Sequence, residues 1–455
     1  MQQALSNLLS RLPRKKTHRD DIPILPGEWP VVGHAPYLIG DVLGYLRNAA
    51  AKTGPLFWMK SLGIGNDKYS LVCVGEPGFE LLKNKVTSSE YIRESASDFI
   101  GDSLLSRDGQ PHRHLRSAMS GPFTPRGLTA SGAASLSAEV IEDYVARFPT
   151  APFSLLAQTQ GLALDIIFRV MGIDQAELEA WNKNYREFIL AAVPIRVDLP
   201  FSPLRRARAG RRWLDTRFAQ LISAARGKPD MQGTLKALLA EKDEEGKALG
   251  DEDLVQNLRL LALAGHETSA SVMAWLGIEL ARRPDLWEKL KEEAMAAPGL
   301  PRSPEELKRH PFAEALFREV VRRYPPVAYT ARQAMAELEL HGKRVPQGTM
   351  VTIPIGTYGY DETVYPEPER FDPTRWLGRR SPPTAMETAQ FGGGPHFCLG
   401  YHLAWMEVVQ FATAFAREVA RRGMKPRLAA GTEPKLRHVP FGQPPKGTLI
   451  EFVKA

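Results

Sequence analysis

A long run of helical periodicity, enclosed by strand formers at both ends, limits this chain more than any other feature. From Pro77 to about Arg322 apolar residues recur at helical spacing, with loops at about 87–107 and 191–205. Ahead of that run, LFWMKSLG and KYSLVCVG are rich in strand formers, are separated by IGND, and predict a hairpin. Behind it a second strand-rich region spans about Arg332 to Ile355, with the turn HGKRVPQG inside it. Strand-like GTLIEFV closes the chain. Sheet-forming pieces so far apart in sequence argue against independent domains in series. The expected fold is one large, mainly α domain with small β-sheets over residues 22–455, led in by the extended, proline-rich stretch IPILPGEWPVVGHAPYL.

A chain of 455 residues that is 43% hydrophobic and 24% charged has the composition of a soluble globular protein with a large core. Two cysteines, Cys73 and Cys398, make no disulfide framework; they fit a reducing compartment, and the cytoplasm is expected. There is no run of about 18 apolar residues of the kind a membrane span needs. Within residues 1–21, Leu5, Leu8, Leu9 and Leu12 precede basic Arg14, Lys15 and Lys16. That basic amphipathic segment reads as a weak peripheral membrane contact, as a helix packed on its own domain, or as a frayed terminus. Its charges follow the apolar part, which argues against a secretory signal. The net charge of +7 suggests acidic partners. Without a zinc-finger pattern or a basic tract interleaved with aromatics, nucleic acid is not expected. Arg205, Arg206, Arg208, Arg211 and Arg212 read as a solvated helix face.

The stretch FGGGPHFCLG, Phe391 to Gly400, places one of the two cysteines in a loop with four glycines. A helix is predicted just after it, and its N-terminal dipole would favour a thiolate, suited to a soft metal or a covalent intermediate. Zinc is an alternative, with His396, Cys398 and His402 at short spacing, but no second cysteine pair completes a structural site. In LALAGHETSAS, Glu267 and Thr268 put an acid and an alcohol where a core helix should be apolar, and Gly265 beside them leaves room for a small ligand. Buried without partners, such groups cost about 1–3 kcal/mol each; a threonine bonded back to its own helix is the plainer account. In FREVVRRYPP, Glu319 and Arg322 share a helix face, and Arg370 in PERFDPTRW offers Glu319 a second cation. His112 and Arg116 lie one turn apart in RDGQPHRHLRSAMSGPFTPRG.

Taken together these motifs resemble those of the cytochromes P-450. Phe391, Gly394, His396, Cys398 and Gly400 fill the family's haem-loop pattern in register. Ala264, Gly265, Glu267 and Thr268 match its oxygen-activating helix. Glu319 and Arg322 match its E-x-x-R pair, with Arg370 as the third member, and His112 with Arg116 matches its propionate-holding helix. The resemblance runs from about Leu25 to the C-terminus, with the motifs in the expected order.

That resemblance implies a b-type haem with Cys398 as proximal ligand, where a thiolate favours cleavage of dioxygen. Phe391 would shield the sulfur, and His112, Arg116, Arg332 and His396 would meet the haem propionates. Ala264 and Gly265 would leave space over the iron. Thr268 with Glu267 would relay protons. Glu319, Arg322 and Arg370 would be a buried structural triad. The implied reaction inserts one oxygen atom of O2 into an apolar molecule such as a terpenoid, steroid or fatty acid. Electrons would come from a separate ferredoxin- or flavodoxin-type donor, since no flavin or nicotinamide module is left over; Trp405, where many relatives have arginine, leaves the choice of donor open. Phe99, Ile100, Phe188, Val193, Ile195, Leu260, Leu261, Val327 and Phe441 would line the pocket. A monomer is expected. Alternatives within the fold are a peroxide-driven oxygenase or a haem-thiolate isomerase; outside enzymes, a haem sensor.

Overall fold

The computed structural model describes residues 21–60, 69–83, 86–96, 98–192, 198–228, 233–379, 381–431, 434–438 and 441–455. The amphipathic segment at residues 1–20, the IGND turn, and Val193 and Ile195 lie outside the described residues.

The predicted hairpin is present: β1 (Leu56–Lys60) pairs antiparallel with β2 (Tyr69–Cys73), Leu56 opposite Cys73. Further strands are β3 (Thr87–Ser88), β4 (Thr330–Ala334), β5 (Leu338–Leu340), β6 (Lys343–Val345) and β7 (Met350–Ile353). One sheet runs in the order β1-β2-β7-β4-β3. Strand β2 meets β7 in parallel at Leu71–Val351, and β4 lies antiparallel to β7 with Arg332 opposite Val351. The sheet therefore joins the two strand-rich regions across the helical middle. It also delivers Arg332 on a strand buried at alternate positions. The remaining strands, β8 (Met424–Leu428), β9 (Arg437–His438), β10 (Gly442–Gln443) and β11 (Ile450–Lys454), form two small antiparallel pairs, β8 with β11 and β9 with β10.

Among the described residues eleven helices have eight residues or more. They are α1 (Val42–Thr53), α2 (Glu76–Lys83), α3 (Gly109–Ser120), α4 (Ala133–Val145), α5 (Leu155–Val170) and α6 (Leu178–Phe188). After these come α7 (Pro203–Arg226), α8 (Asp251–Arg282), α9 (Pro284–Ala296), α10 (Pro311–Arg323) and α11 (Tyr401–Arg421). Helix α8 is the axis, 32 residues long. Asp251, Glu252 and Asp253 in its first turn and Arg282 in its last complement the helix dipole. Its second half is buried on every side, from Ser269 to Ala281, and packs on α5 and α11. Gly265 allows the close approach to α5: a Cβ there would lie 3.2 Å from the Ile167 side chain. The arginine-rich stretch is the face of α7, where Arg206 pairs with Glu187, and Arg208 with Asp98 and Asp198.

Candidate cofactor site

The sulfur loop is closed by its own backbone: the Cys398 N–H donates to the Phe391 carbonyl at 2.9 Å. Gly392 and Gly394 have φ of +81° and +57°, a region that favours glycine. A Cβ on Gly394 would lie 2.4 Å from the Leu82 carbonyl oxygen, so this glycine is required by packing against α2 rather than by a ligand. Gly400 differs, with nothing within 4 Å of its would-be Cβ. Phe391 stacks edge-on against Tyr401 and lies near Phe397, forming an aromatic wall around the loop. Helix α11 starts at Tyr401, three residues beyond the sulfur. Burial pushes the Cys398 thiol up; the Gly400 N–H and the Arg116 guanidinium pull it down without cancelling that effect. The helix start thus favours the thiolate in the expected direction, but the desolvation cost is larger, and a bound metal cation is what would reverse it.

The distal feature is a stripe on α8. Between Asn257 and Ala281 every residue is buried except Leu260, Ala264, Gly265 and Thr268. Leu260, Ala264 and Thr268 follow at four-residue spacing, so the interior opens along one face of the axis helix. The Thr268 hydroxyl donates to the Ala264 carbonyl at 2.5 Å. Gly265 turns toward Ile167, so its place is to seat α8 on α5, which corrects the reading that it leaves room for a ligand. Glu267 is 6% exposed; its carboxylate accepts from Gln160 Nε2 at 3.1 Å and from Gln443 Nε2, and lies 3.3 Å from His266 Nδ1. Both glutamines were missed in the sequence, because an amide on α5 and one on β10 carry no spacing that links them to α8.

His112, Arg116, Arg332 and His396 come from α3, β4 and the sulfur loop. His112 is buried, its Nε2 has no hydrogen-bond partner among the described residues, and its ring lies 4.3 Å from that of His396. Burial, and then His396, push the His112 ring down to about 4. Arg116 donates to the Phe397 carbonyl at 2.6 Å, while the buried Arg332 donates to Thr330 Oγ1 and the Ala331 carbonyl within its own strand. One buried and one half-buried guanidinium, neither with a carboxylate in ion-pair contact among the described residues, and an orphaned imidazole nitrogen make a niche suited to anions. These residues, the open stripe on α8 and the free space at Gly400 fit a flat, dianionic, metal-bearing group such as haem. The zinc alternative finds no support: among the described residues no cluster of three or more His, Cys, Asp or Glu could hold a metal ion.

Behind the loop, Glu319 is 0% and Arg322 1% exposed, and they form a two-bond pair at 2.8 and 2.9 Å. Arg370 is corrected. Its side chain is 61% exposed and pairs with Glu367 and Asp372, while only its backbone carbonyl reaches Arg322. The second cation on Glu319 is Arg375, at 3.2 Å, joined by Trp376 Nε1 at 2.9 Å and the Asp372 N–H at 2.7 Å. Phe188 is also corrected: it is fully buried, packed against Phe99 and Tyr185, and belongs to the core rather than to a cavity wall. Leu261 is 8% exposed, whereas Phe99, Ile100, Val327 and Phe441 are half-buried. Trp405 lies 5.4 Å from the Arg318 guanidinium, which places a cation over its ring.

A sequence model of the cytochrome P-450 family matches residues 207–418. The chain is 39% identical over 446 residues to the cytochrome P-450 BJ-4 homolog of Sinorhizobium fredii, covering 98% of this chain and 99% of that one. Identity and coverage are the same for cytochrome P-450 BJ-4 of Bradyrhizobium diazoefficiens. The solved structure of retinoic acid bound cyanobacterial CYP120A1 superposes with a TM-score of 0.82 at 22% identity, covering 95% of this chain and all of that one, a likeness of fold. Helical architecture, the ordered motifs and relatives matched over nearly their whole length lead to one assignment: the chain belongs to the cytochrome P-450 family, the haem-thiolate monooxygenases.

Proposed function

We propose that residues 22–455 form one haem domain in which Cys398 binds the iron of a b-type haem, and that the protein oxidises an apolar small molecule of terpenoid, steroid or fatty-acid type. The observation that carries this reading is the stripe of Leu260, Ala264 and Thr268, open within a stretch of α8, Asn257 to Ala281, whose other residues apart from Gly265 are buried. When bound, the haem supplies activation of O2. The chain's own residues do the rest. Arg116, Arg332 and His112 bind and orient the propionates. Phe391 and its aromatic neighbours keep water from the sulfur. Leu260, Phe99, Ile100, Val327 and Phe441 present apolar surface to substrate.

Thr268 Oγ1 holds and passes a proton on the open stripe, and Glu267, held by Gln160 and Gln443, supplies it. Presence of this acid–alcohol pair favours the O2-dependent reaction over a peroxide-driven one. Electrons come from a separate ferredoxin- or flavodoxin-type protein; the net charge of +7 and the exposed Arg113 on α3 support an acidic donor. The two free cysteines fit a reducing compartment and so support a cytoplasmic enzyme, and a monomer is proposed with it.

The test is a screen of terpenoids, steroids and fatty acids against the haem-loaded protein, with binding read as a spin-state shift. Turnover of each hit under labelled O2 with a surrogate ferredoxin and reductase follows. One labelled oxygen atom per product is expected. Binding without incorporation of label from O2, or incorporation only when peroxide is supplied, would contradict the proposal.

A further inference from the structure

Asp108 sits at the N-cap of α3, where an aspartate ordinarily accepts from the first amides of its own helix; it makes no such bond. Its carboxylate is used elsewhere. Oδ2 accepts from the Ser88 hydroxyl at 2.8 Å and the Ser89 N–H at 2.5 Å, and Oδ1 accepts from His396 Nε2 at 2.8 Å. One side chain thus ties β3, the start of α3 and the sulfur loop together. Burial pushes the Asp108 carboxyl up, but the bonds from His396, Ser89 and Ser88 outweigh it and hold the group below the usual carboxylate range. Arg332 feels the same charge.

The pairing restricts His396. With Nε2–H given to Asp108, only Nδ1 remains for any further partner, and the ring, whose side chain is 8% exposed, is held on its other side by His112. A histidine acting on a propionate by itself would need no such carboxylate. Nor does a helix start need one that leaves its own amides uncapped. Both are explained if the carboxylate serves the loop.

We propose that Asp108 is a positioning residue for the cofactor-binding loop: its carboxylate holds the His396 ring, and through it the turn before Cys398, against the start of α3, and fixes a negative charge beside the propionate niche. The inference rests on the haem-thiolate reading above. It concerns two residues of this chain that act as one unit, as outer-shell partners of metal sites do.

A double-mutant cycle on the haem-loaded protein tests it, with Asp108→Ala, His396→Ala and both together. Transfer of haem to an excess of haem-free globin and the reduction potential are the readouts. Asp108→Ala is expected to lose haem about tenfold faster, the scale of such partners. Adding His396→Ala should bring no further acceleration, because the two changes break one contact. Asp108→Asn keeps the shape and an acceptor oxygen without the charge; it should hold haem better than Asp108→Ala while its potential rises, a change a purely structural residue would not produce. Wild-type transfer rates in Asp108→Ala, effects that multiply in the double variant, or a wild-type potential in Asp108→Asn would each overturn the proposal. If Asp108→Ala fails to fold, the Asp108→Asn potential decides. Wild-type protein without a sulfur-ligated spectrum would overturn the haem-thiolate reading itself, a distinct outcome.

Discussion

Glu319→Ala is expected to abolish accumulation of folded, haem-containing protein. Glu319 is wholly buried and answers four donors: the Arg322 guanidinium, the Arg375 guanidinium, Trp376 Nε1 and the Asp372 N–H. Arg322 in turn donates to the carbonyls of Gly359, Pro368 and Arg370, so the same unit staples α10 to the irregular segment ahead of the sulfur loop. Removing the carboxylate leaves a buried guanidinium uncompensated, a loss of about 3–5 kcal/mol. Against a total folding stability of about 5–15 kcal/mol, that is enough to unfold a domain of ordinary stability. The check is soluble yield with the denaturation midpoint. Arg375→Leu should behave in the same direction, whereas Arg370→Leu, exposed at the surface, should leave the midpoint near wild type. Equal damage from Arg370→Leu and Arg375→Leu would contradict the assignment.

Thr268→Ala is expected to separate electron consumption from product formation. Its hydroxyl is the polar side-chain atom on the open stripe of α8, since the other two members, Leu260 and Ala264, offer only carbon and backbone. Loss of a positioned proton donor costs roughly 10²-fold or more in the step it serves. Donor electrons should then leave as hydrogen peroxide, measured as peroxide and product formed per electron pair. Thr268→Ser, which keeps the oxygen, should restore most of the coupling. Coupling at the wild-type level in the alanine variant, with every substrate that binds, would remove Thr268 from the mechanism.

The parts of this protein that were legible in its sequence are those set by residue type and local spacing. Cys398 in its glycine-rich loop, Glu319 with Arg322 one turn apart, and the hairpin of β1 and β2 all follow from neighbours in the chain. Two errors show what local spacing does not carry. PERF and PTRW each offer an arginine two residues after a proline, and burial against Glu319, not order along the chain, selects Arg375 over Arg370. Phe188 reads as a pocket residue because an apolar side chain on a helix looks the same whether it meets a cavity or another ring. The tie from Asp108 to His396 spans most of the chain, and an aspartate ahead of a glycine at a helix start reads simply as a cap. Gly394 was legible as a glycine the loop requires, but its cause was not: the carbonyl it must clear belongs to Leu82, on a helix far away in sequence.

The most direct measurement is the visible spectrum of the dithionite-reduced protein under carbon monoxide, recorded for the wild type and for Cys398→His expressed with added haem. If Cys398 binds iron, the wild type shows the red-shifted Soret band of sulfur coordination, and the variant shows the shorter-wavelength band of imidazole coordination or no haem at all. A wild-type spectrum without the sulfur band, or a sulfur band that survives loss of Cys398, would contradict the account.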